Sequence, residues 1–231
     1  MDSPSPRLLD LFCGAGGAAM GYHRAGFDVV GVDTNPQPNY PFTFIQGDAL
    51  HALEDWPPPY EQFDAIHASP PCQFATAMSN RWRGAGGRAD AHQNLIPPTR
   101  AALQATNLPY VIENVGGARK HLHNPVVLNG GMFGLGVDRP RLFETNWPLL
   151  VPTKQPVNDA LGVYGKAPDG RLLFKRADGS EQRAANSVAE AGAAMGIDWC
   201  PDWNGIREAI PPAYTEFIGR WLIQHLEAVA A

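Results

Sequence analysis

The stretch Arg7-Leu8-Leu9-Asp10-Leu11-Phe12-Cys13-Gly14-Ala15-Gly16-Gly17 decides the fold. Residues 7–12 form an apolar run of strand length, and the glycines behind it permit a tight turn into a helix through Met20 to Ala25. Gly26 is placed to end that helix. Working outward, Asp28–Asp33 (DVVGVD) reads as a second strand, Phe42–Ile45 as a third, Phe63–Ala68 as a fourth and Tyr110–Asn114 as a fifth. A helix is expected within Leu95–Leu108, another over Ser187–Gly196, and a long amphipathic one over Tyr214–Val229. Strands that alternate with helices imply right-handed βαβ crossovers. The expected class is therefore α/β with a mostly parallel sheet. Ligands bind such sheets at the carboxyl ends of the strands, and the chemically suggestive residues fall there.

The chain has 231 residues, 44% hydrophobic and 18% charged, which suits one folded domain or a domain with a small appendage. A core of that size buries roughly 70% of the unfolded surface and needs no disulfide staples. Three widely spaced cysteines, Cys13, Cys72 and Cys200, form no CxxC pair, so neither a disulfide framework nor a metal site is expected. No apolar run approaches the 18 or so residues of a membrane span, and the expectation is a cytoplasmic protein. The net charge of −5 is unevenly spread. Residues 1–72 carry 2 Lys/Arg against 9 Asp/Glu, residues 73–185 carry 14 against 8, and residues 186–231 carry 2 against 6. A basic middle admits a polyanionic partner despite the acidic total.

Two stretches interrupt the α/β rhythm. Gln73–Ala91 is rich in Gly, Arg and Ala and is long for a connector. Residues 151–186 hold Pro152, Pro156 and Pro168, and the run RLLFKRA between Asp169-Gly170 and Asp178-Gly179 suggests a small hairpin. The expected division is a core over 1–150, a small excursion over 151–186, and a segment over 187–231 that completes the core.

Glycines after the first strand let the backbone approach a ligand and aim amides at it, although their spacing is not the strict GxGxxG of dinucleotide folds. Asp33 ends the second strand, where a carboxylate accepts from ribose hydroxyls. Asp48 ends the third and is placed to accept from an adenine amino group. Together they describe a pocket for an adenosine-containing ligand. In Ser69-Pro70-Pro71-Cys72-Gln73 two prolines stiffen the backbone and present Cys72 at a loop mouth. In Glu113-Asn114-Val115 a poorly solvated glutamate would hold its proton near neutrality and donate it. Arg139 and Arg141 stand two apart, which on a strand places both guanidinium groups on one face.

These blocks, from DLFCGAGGAAMGYHRAGF to AIPPAYTEFIG, resemble the C5-cytosine DNA methyltransferases, in the family's order and over almost the whole chain. A compact phage or bacterial type is the nearest pattern. The resemblance implies a Rossmann-like methyltransferase fold, with helices on both faces of the sheet, that binds S-adenosylmethionine and releases S-adenosylhomocysteine; residues 1–150 would be its catalytic and cofactor-binding core and 151–186 a recognition-like excursion. Its implied cofactor residues are Phe12, Gly14, Ala15, Gly16, Gly17, Asp33, Thr34, Asp48, Ala49, Pro71, Glu208 and Ala209. It implies Cys72 as nucleophile at cytosine carbon 6, Glu113 at ring N3, and Arg139 and Arg141 at the O2 side. Gln73, Arg81, Arg83 and Asn114 would bind the substrate, with Gln73–Ala91, which also holds Arg88, as a loop that closes on nucleic acid. The implied partner is DNA bearing a flipped or unpaired cytosine, met by a monomer without a metal.

Two features depart from the family. Only a short stretch separates Arg141 from Ile210, where the family places a large target-recognition domain, and Glu208 stands where the family's last motif has asparagine. RNA of the tRNA type is the alternative substrate. A cofactor-binding regulatory module without turnover is the alternative of another class.

Overall fold

The computed structural model describes residues 5–54, 62–71, 94–175 and 179–230. Strand β1 (Arg7–Leu11) leads through the glycine turn into helix α1 (Gly17–Ala25), then β2 (Asp28–Asp33), β3 (Thr43–Gln46) and a single turn, α2 (His51–Glu54). Next come β4 (Ala65–Ala68), α3 (Ile96–Ala105), β5 (Tyr110–Asn114), β6 (Val126–Leu128) and β7 (Arg141–Thr145). A separate antiparallel pair, β8 (Leu172–Lys175) and β9 (Glu181–Arg183), realises the expected hairpin. Helices α4 (Val188–Met195), α5 (Trp203–Glu208) and α6 (Pro212–Ala230) follow.

The main sheet has the order β3-β2-β1-β4-β5-β7-β6. Strands β3 through β5 pair in parallel, whereas β7 runs against both β5 and β6. The parallel half and its helices were legible in the sequence. Strands β6 and β7 were not, because their apolar runs are short and only pairing with β5 makes them strands. Boundaries also moved: the third strand is Thr43–Gln46 rather than Phe42–Ile45, and the first helix starts at Gly17 rather than Met20.

Alternation along the strands sorts side chains to two faces. Leu9, Leu11, Val30, Val32, Ile66 and Ile112 pack beneath α3. Leu8, Val29, Ala65, Val111 and Phe143 pack against Tyr22 of α1 and Tyr214, Ile218 and Leu222 of α6. Helix α6 thus closes the sheet face that α1 begins, and the Thr215 hydroxyl donates to the Ala18 carbonyl at 2.9 Å. A third cluster (Val163, Ala185, Met195, Ile197, Trp203, Ile206) gathers around Ala15, so the chain after residue 150 leans on the loop that follows β1. Among the described residues no helix is long and apolar enough to cross a membrane.

Candidate active site

The loop after β1 is shaped by positive φ at Phe12 (58°), Gly14 (50°) and Gly16 (85°), the last capping α1. Asp33 at the end of β2 holds this loop in place. Its Oδ2 accepts from the Gly14 amide at 3.1 Å and its Oδ1 from the Asn35 amide at 2.9 Å. A carboxylate has about four acceptor positions, so capacity remains for ribose hydroxyls. Asp48 uses Oδ1 to accept from the amides of Leu50 (2.8 Å) and His51 (3.2 Å), which caps α2. Thr34 is exposed and Ala49 is buried in the core. Among the described residues, a Cβ placed on Gly14, Gly47 or Gly116 would meet nothing within 4 Å, which leaves room at the ends of β1, β3 and β5.

Sequence reasoning missed the wall across from the glycine loop. The Trp199 indole donates to the Ala15 carbonyl at 3.0 Å, and Trp203 donates to Gly165 O at 3.2 Å. Trp199, Trp203, Ile206 and Ile210 recur at spacings of four, three and four, a helical period that the sequence reading did not use. Glu208 is 71% exposed at its side chain and lies 3.0 Å from Arg207, so its charge is partly compensated locally.

Glu113 and Asn114 end β5, both buried. Asn114 donates to the Pro70 carbonyl at 2.9 Å and accepts from the Val115 amide at 3.0 Å. It therefore braces the Ser69-Pro70-Pro71 strap that leads to Cys72. Cys72, Gln73, Arg81, Arg83 and Arg88 lie outside the described residues. Glu113 Oε1 is 3.0 Å from Arg141 Nε, yet it has no aligned hydrogen-bond donor among the described residues. Burial raises the Glu113 carboxyl above the usual range, while Arg141, Arg139 and a hydrogen bond to Ser69 hold it back.

The arginine pair does not share a strand face. Arg141 opens β7, but Arg139 precedes the strand at φ 27°. Its buried guanidinium donates to the carbonyls of Arg207 (2.5 Å), Ala209 (3.2 Å) and Val163 (3.3 Å). Pro140 cannot continue a β-ladder, and the kink turns Arg139 inward towards the C-terminal segment. Its three bonds tie β7, the 151–186 excursion and the stretch before α6 together. Burial, and after it the Arg141 charge, lowers its basicity.

Two further buried groups had no place in the sequence reading. Asp10 is fully buried on β1, with no aligned donor to either oxygen among the described residues; burial, then the Asp33 charge, raises it well above the carboxylate range, against the Ala19 amide. His67 on β4 is also fully buried, between the Tyr22 hydroxyl (3.0 Å from Nδ1) and the Ser69 hydroxyl (2.9 Å from Nε2). Polar residues inside a buried strand were the available signal for both. The remaining thiols are buried and their ionisation is suppressed by burial, which agrees with packing roles for Cys13 and Cys200.

The model of the C-5 cytosine-specific DNA methylase family matches residues 7–130. The chain belongs to that family. The matched stretch includes the glycine loop, the Cys72 strap and Glu113; the arginine pair and α6 lie beyond it. The type II methyltransferase M.NgoPII of Neisseria gonorrhoeae is 30% identical over 136 residues, which is 53% of this chain and only 37% of that relative's length. Among solved structures, a DNA modification methyltransferase encoded within an E. coli prophage superposes with a TM-score of 0.60 at 17% identity, over 97% of this chain and 100% of its own. Dnmt2 of S. pombe gives 0.58 at 15% identity, over 96% and 99%. At those identities the superpositions establish the fold: a Rossmann-like methyltransferase sheet.

Proposed function

We propose that the chain transfers a methyl group from S-adenosylmethionine to carbon 5 of cytosine in DNA through a covalent adduct with Cys72. One observation carries the reading: Glu113, buried at the end of β5, faces Arg141 with Oε1 left without an aligned donor, beside the strap that presents Cys72. The cofactor fits the residues present, because Gly14 borders open space while its amide is fixed by a carboxylate that retains acceptor capacity. Phe12, Gly16, Gly17, Thr34, Asp48, Ala49, Pro71, Glu208 and Ala209 complete the proposed lining. When bound, this group supplies a methyl on a sulfonium that an electron-rich carbon can attack.

The chain's own residues make carbon 5 electron-rich. The Cys72 thiolate adds to carbon 6, forming a C–S bond while the ring π electrons move towards carbon 5. Glu113 gives its proton or a hydrogen bond to N3, and Arg141 holds the O2 side, so the developing charge meets preorganised donors. After methylation, loss of the carbon 5 proton returns the electron pair and expels Cys72. Arg139 contributes charge from behind Arg141.

The target cytosine must be unpaired or flipped to reach this depth. We assign residues 1–150 and 187–231 to the catalytic core and 151–186 to a small recognition unit. Its hairpin exposes Leu172 and Phe174, about half accessible, beside Arg171 and Lys175, a surface fit for bases and phosphates. Gln73, Arg81 and Arg83 would join it on DNA, with the protein acting as a cytoplasmic monomer. The test is nucleoside mass spectrometry of DNA and tRNA incubated with protein and S-adenosylmethionine. We expect 5-methylcytosine in DNA from the wild type and none from Cys72→Ser. Product in tRNA alone would transfer the reading to RNA, and product from Cys72→Ser would overturn the mechanism.

A further inference from the structure

We propose that His67 is a positioning residue for Glu113: held between Tyr22 and Ser69, its imidazole fixes the direction in which the Ser69 hydroxyl faces the Glu113 carboxyl. The inference rests on the reading of Glu113 as the group that serves the cytosine ring.

The placement follows from the sheet. Asp10, His67 and Val111 stand side by side on β1, β4 and β5. Ser69 lies two residues beyond His67 and so on the same face. Ala68 pairs with Ile112, which brings Ser69 alongside Glu113. Tyr22 descends on His67 from α1, and its hydroxyl is 3.0 Å from Nδ1. Nε2 is 2.9 Å from Ser69 Oγ, and Ser69, alongside Glu113 by register, is among the groups that hold the Glu113 carboxyl down. The chain Tyr22–His67–Ser69–Glu113 therefore runs from the core to the site, with its first two members fully buried.

Proton counting gives the chain a direction. Burial pulls His67 down to about 3, so the ring is neutral at working pH and has one N–H. If Nδ1 held that proton, it would donate to Tyr22 and leave the Tyr22 O–H without an acceptor. Asp10, which interacts with Tyr22 electrostatically, is not hydrogen-bonded to it. An orphaned buried donor costs about 1–3 kcal/mol. Tyr22 therefore donates to Nδ1, Nε2–H donates to Ser69, and the Ser69 proton is turned towards Glu113. A hydroxyl that donates favours the carboxylate; one that accepts favours the acid. The chain thus opposes the burial of Glu113, together with Arg141 from β7 and Arg139 from the segment before it. It lets Glu113 release its proton as well as hold it. Asp10 on β1 is the acidic neighbour on the His67 side, and Tyr40 and Cys13 interact with Asp10.

The test compares two neutral amides at position 67. A glutamine nitrogen reaches the place of Nε2 and keeps the donor to Ser69, whereas an asparagine nitrogen reaches only the place of Nδ1 and loses it. The readout is the carboxyl 13C titration of Glu113 in the full chain, its signal identified by its loss in Glu113→Gln. We expect the midpoint to rise by about one pH unit in His67→Asn and to stay within a few tenths in His67→Gln. Ser69→Ala breaks the same link without disturbing position 67, and should raise the midpoint equally even where His67→Asn fails to fold. A midpoint unmoved by Ser69→Ala, or raised as much by His67→Gln as by His67→Asn, would overturn the proposal. Because the titration needs no turnover, an inactive wild type with the expected shifts would sink the methylation reading and leave the hydrogen-bonded chain standing.

Discussion

Replacing Arg139 by methionine separates the two arginines that the sequence presents as a pair. Methionine fills similar space but cannot donate, so the carbonyls of Val163, Arg207 and Ala209 lose their charged partner in a buried setting. Each unsatisfied group costs about 1–3 kcal/mol, and because the three share one donor the losses do not simply add. We expect a total of about 3–5 kcal/mol. For a chain of 231 residues each kcal/mol lowers Tm by about 2–4 °C, which predicts a fall of about 6–20 °C. The Arg139 backbone, at φ 27°, has little reason to stay there once its side chain is released. Arg141→Met should behave oppositely. It removes one contact to a carboxyl that can protonate, shifting stability by about 1 kcal/mol or less while lowering methylation about 100- to 1,000-fold. Both variants are followed by thermal unfolding and by single-turnover methylation of DNA. An Arg139→Met protein that melts within about 2 °C of wild type, yet has lost methylation, would refute the structural role and return Arg139 to the substrate.

Acid stability provides a second test. The folded His67 titrates near 3 and an unfolded histidine near 6.5, so the unfolded chain binds the proton first as pH falls. Its contribution is complete above about pH 6.5 and is lost progressively down to about 3. Between pH 6 and 4 wild type should lose about 2–3 kcal/mol more than His67→Gln in urea titrations, and equal losses would contradict the neutral buried ring. A third concerns the packing of α1 on α6. A Cβ on Gly21 would lie 2.0 Å from Thr215 Oγ1 and 2.2 Å from the Pro212 carbonyl. Gly21→Ala should therefore destabilise by about 3 kcal/mol or more, despite the better helix propensity of alanine. A gain in Tm would show that α6 docks differently.

Local chemistry made much of this protein legible from sequence. An apolar run followed by glycines can be little else than a strand turning into a helix, and Asp28–Asp33 and Tyr110–Asn114 are read correctly to the residue because buried parallel strands are continuously apolar. Asp33 and Glu113 could be placed at strand ends, where such sheets bind ligands, from the same runs. Other features required the folded chain. Strand β7 runs antiparallel because it inserts between β5 and β6, a long-range pairing that leaves no period in the sequence. Arg139 and Arg141 looked equivalent by spacing, yet the turn before β7 sends one guanidinium to three main-chain carbonyls and the other to Glu113. Trp199 meets Ala15, and Tyr22 meets His67, only after α1 and the C-terminal segments close on the sheet. The sequence by itself determined the parallel strands, their helices and which residues reach those strand ends. Tertiary packing decided which donors and charges face one another there, because hydrogen-bond partners far apart in the chain are selected by burial rather than by spacing.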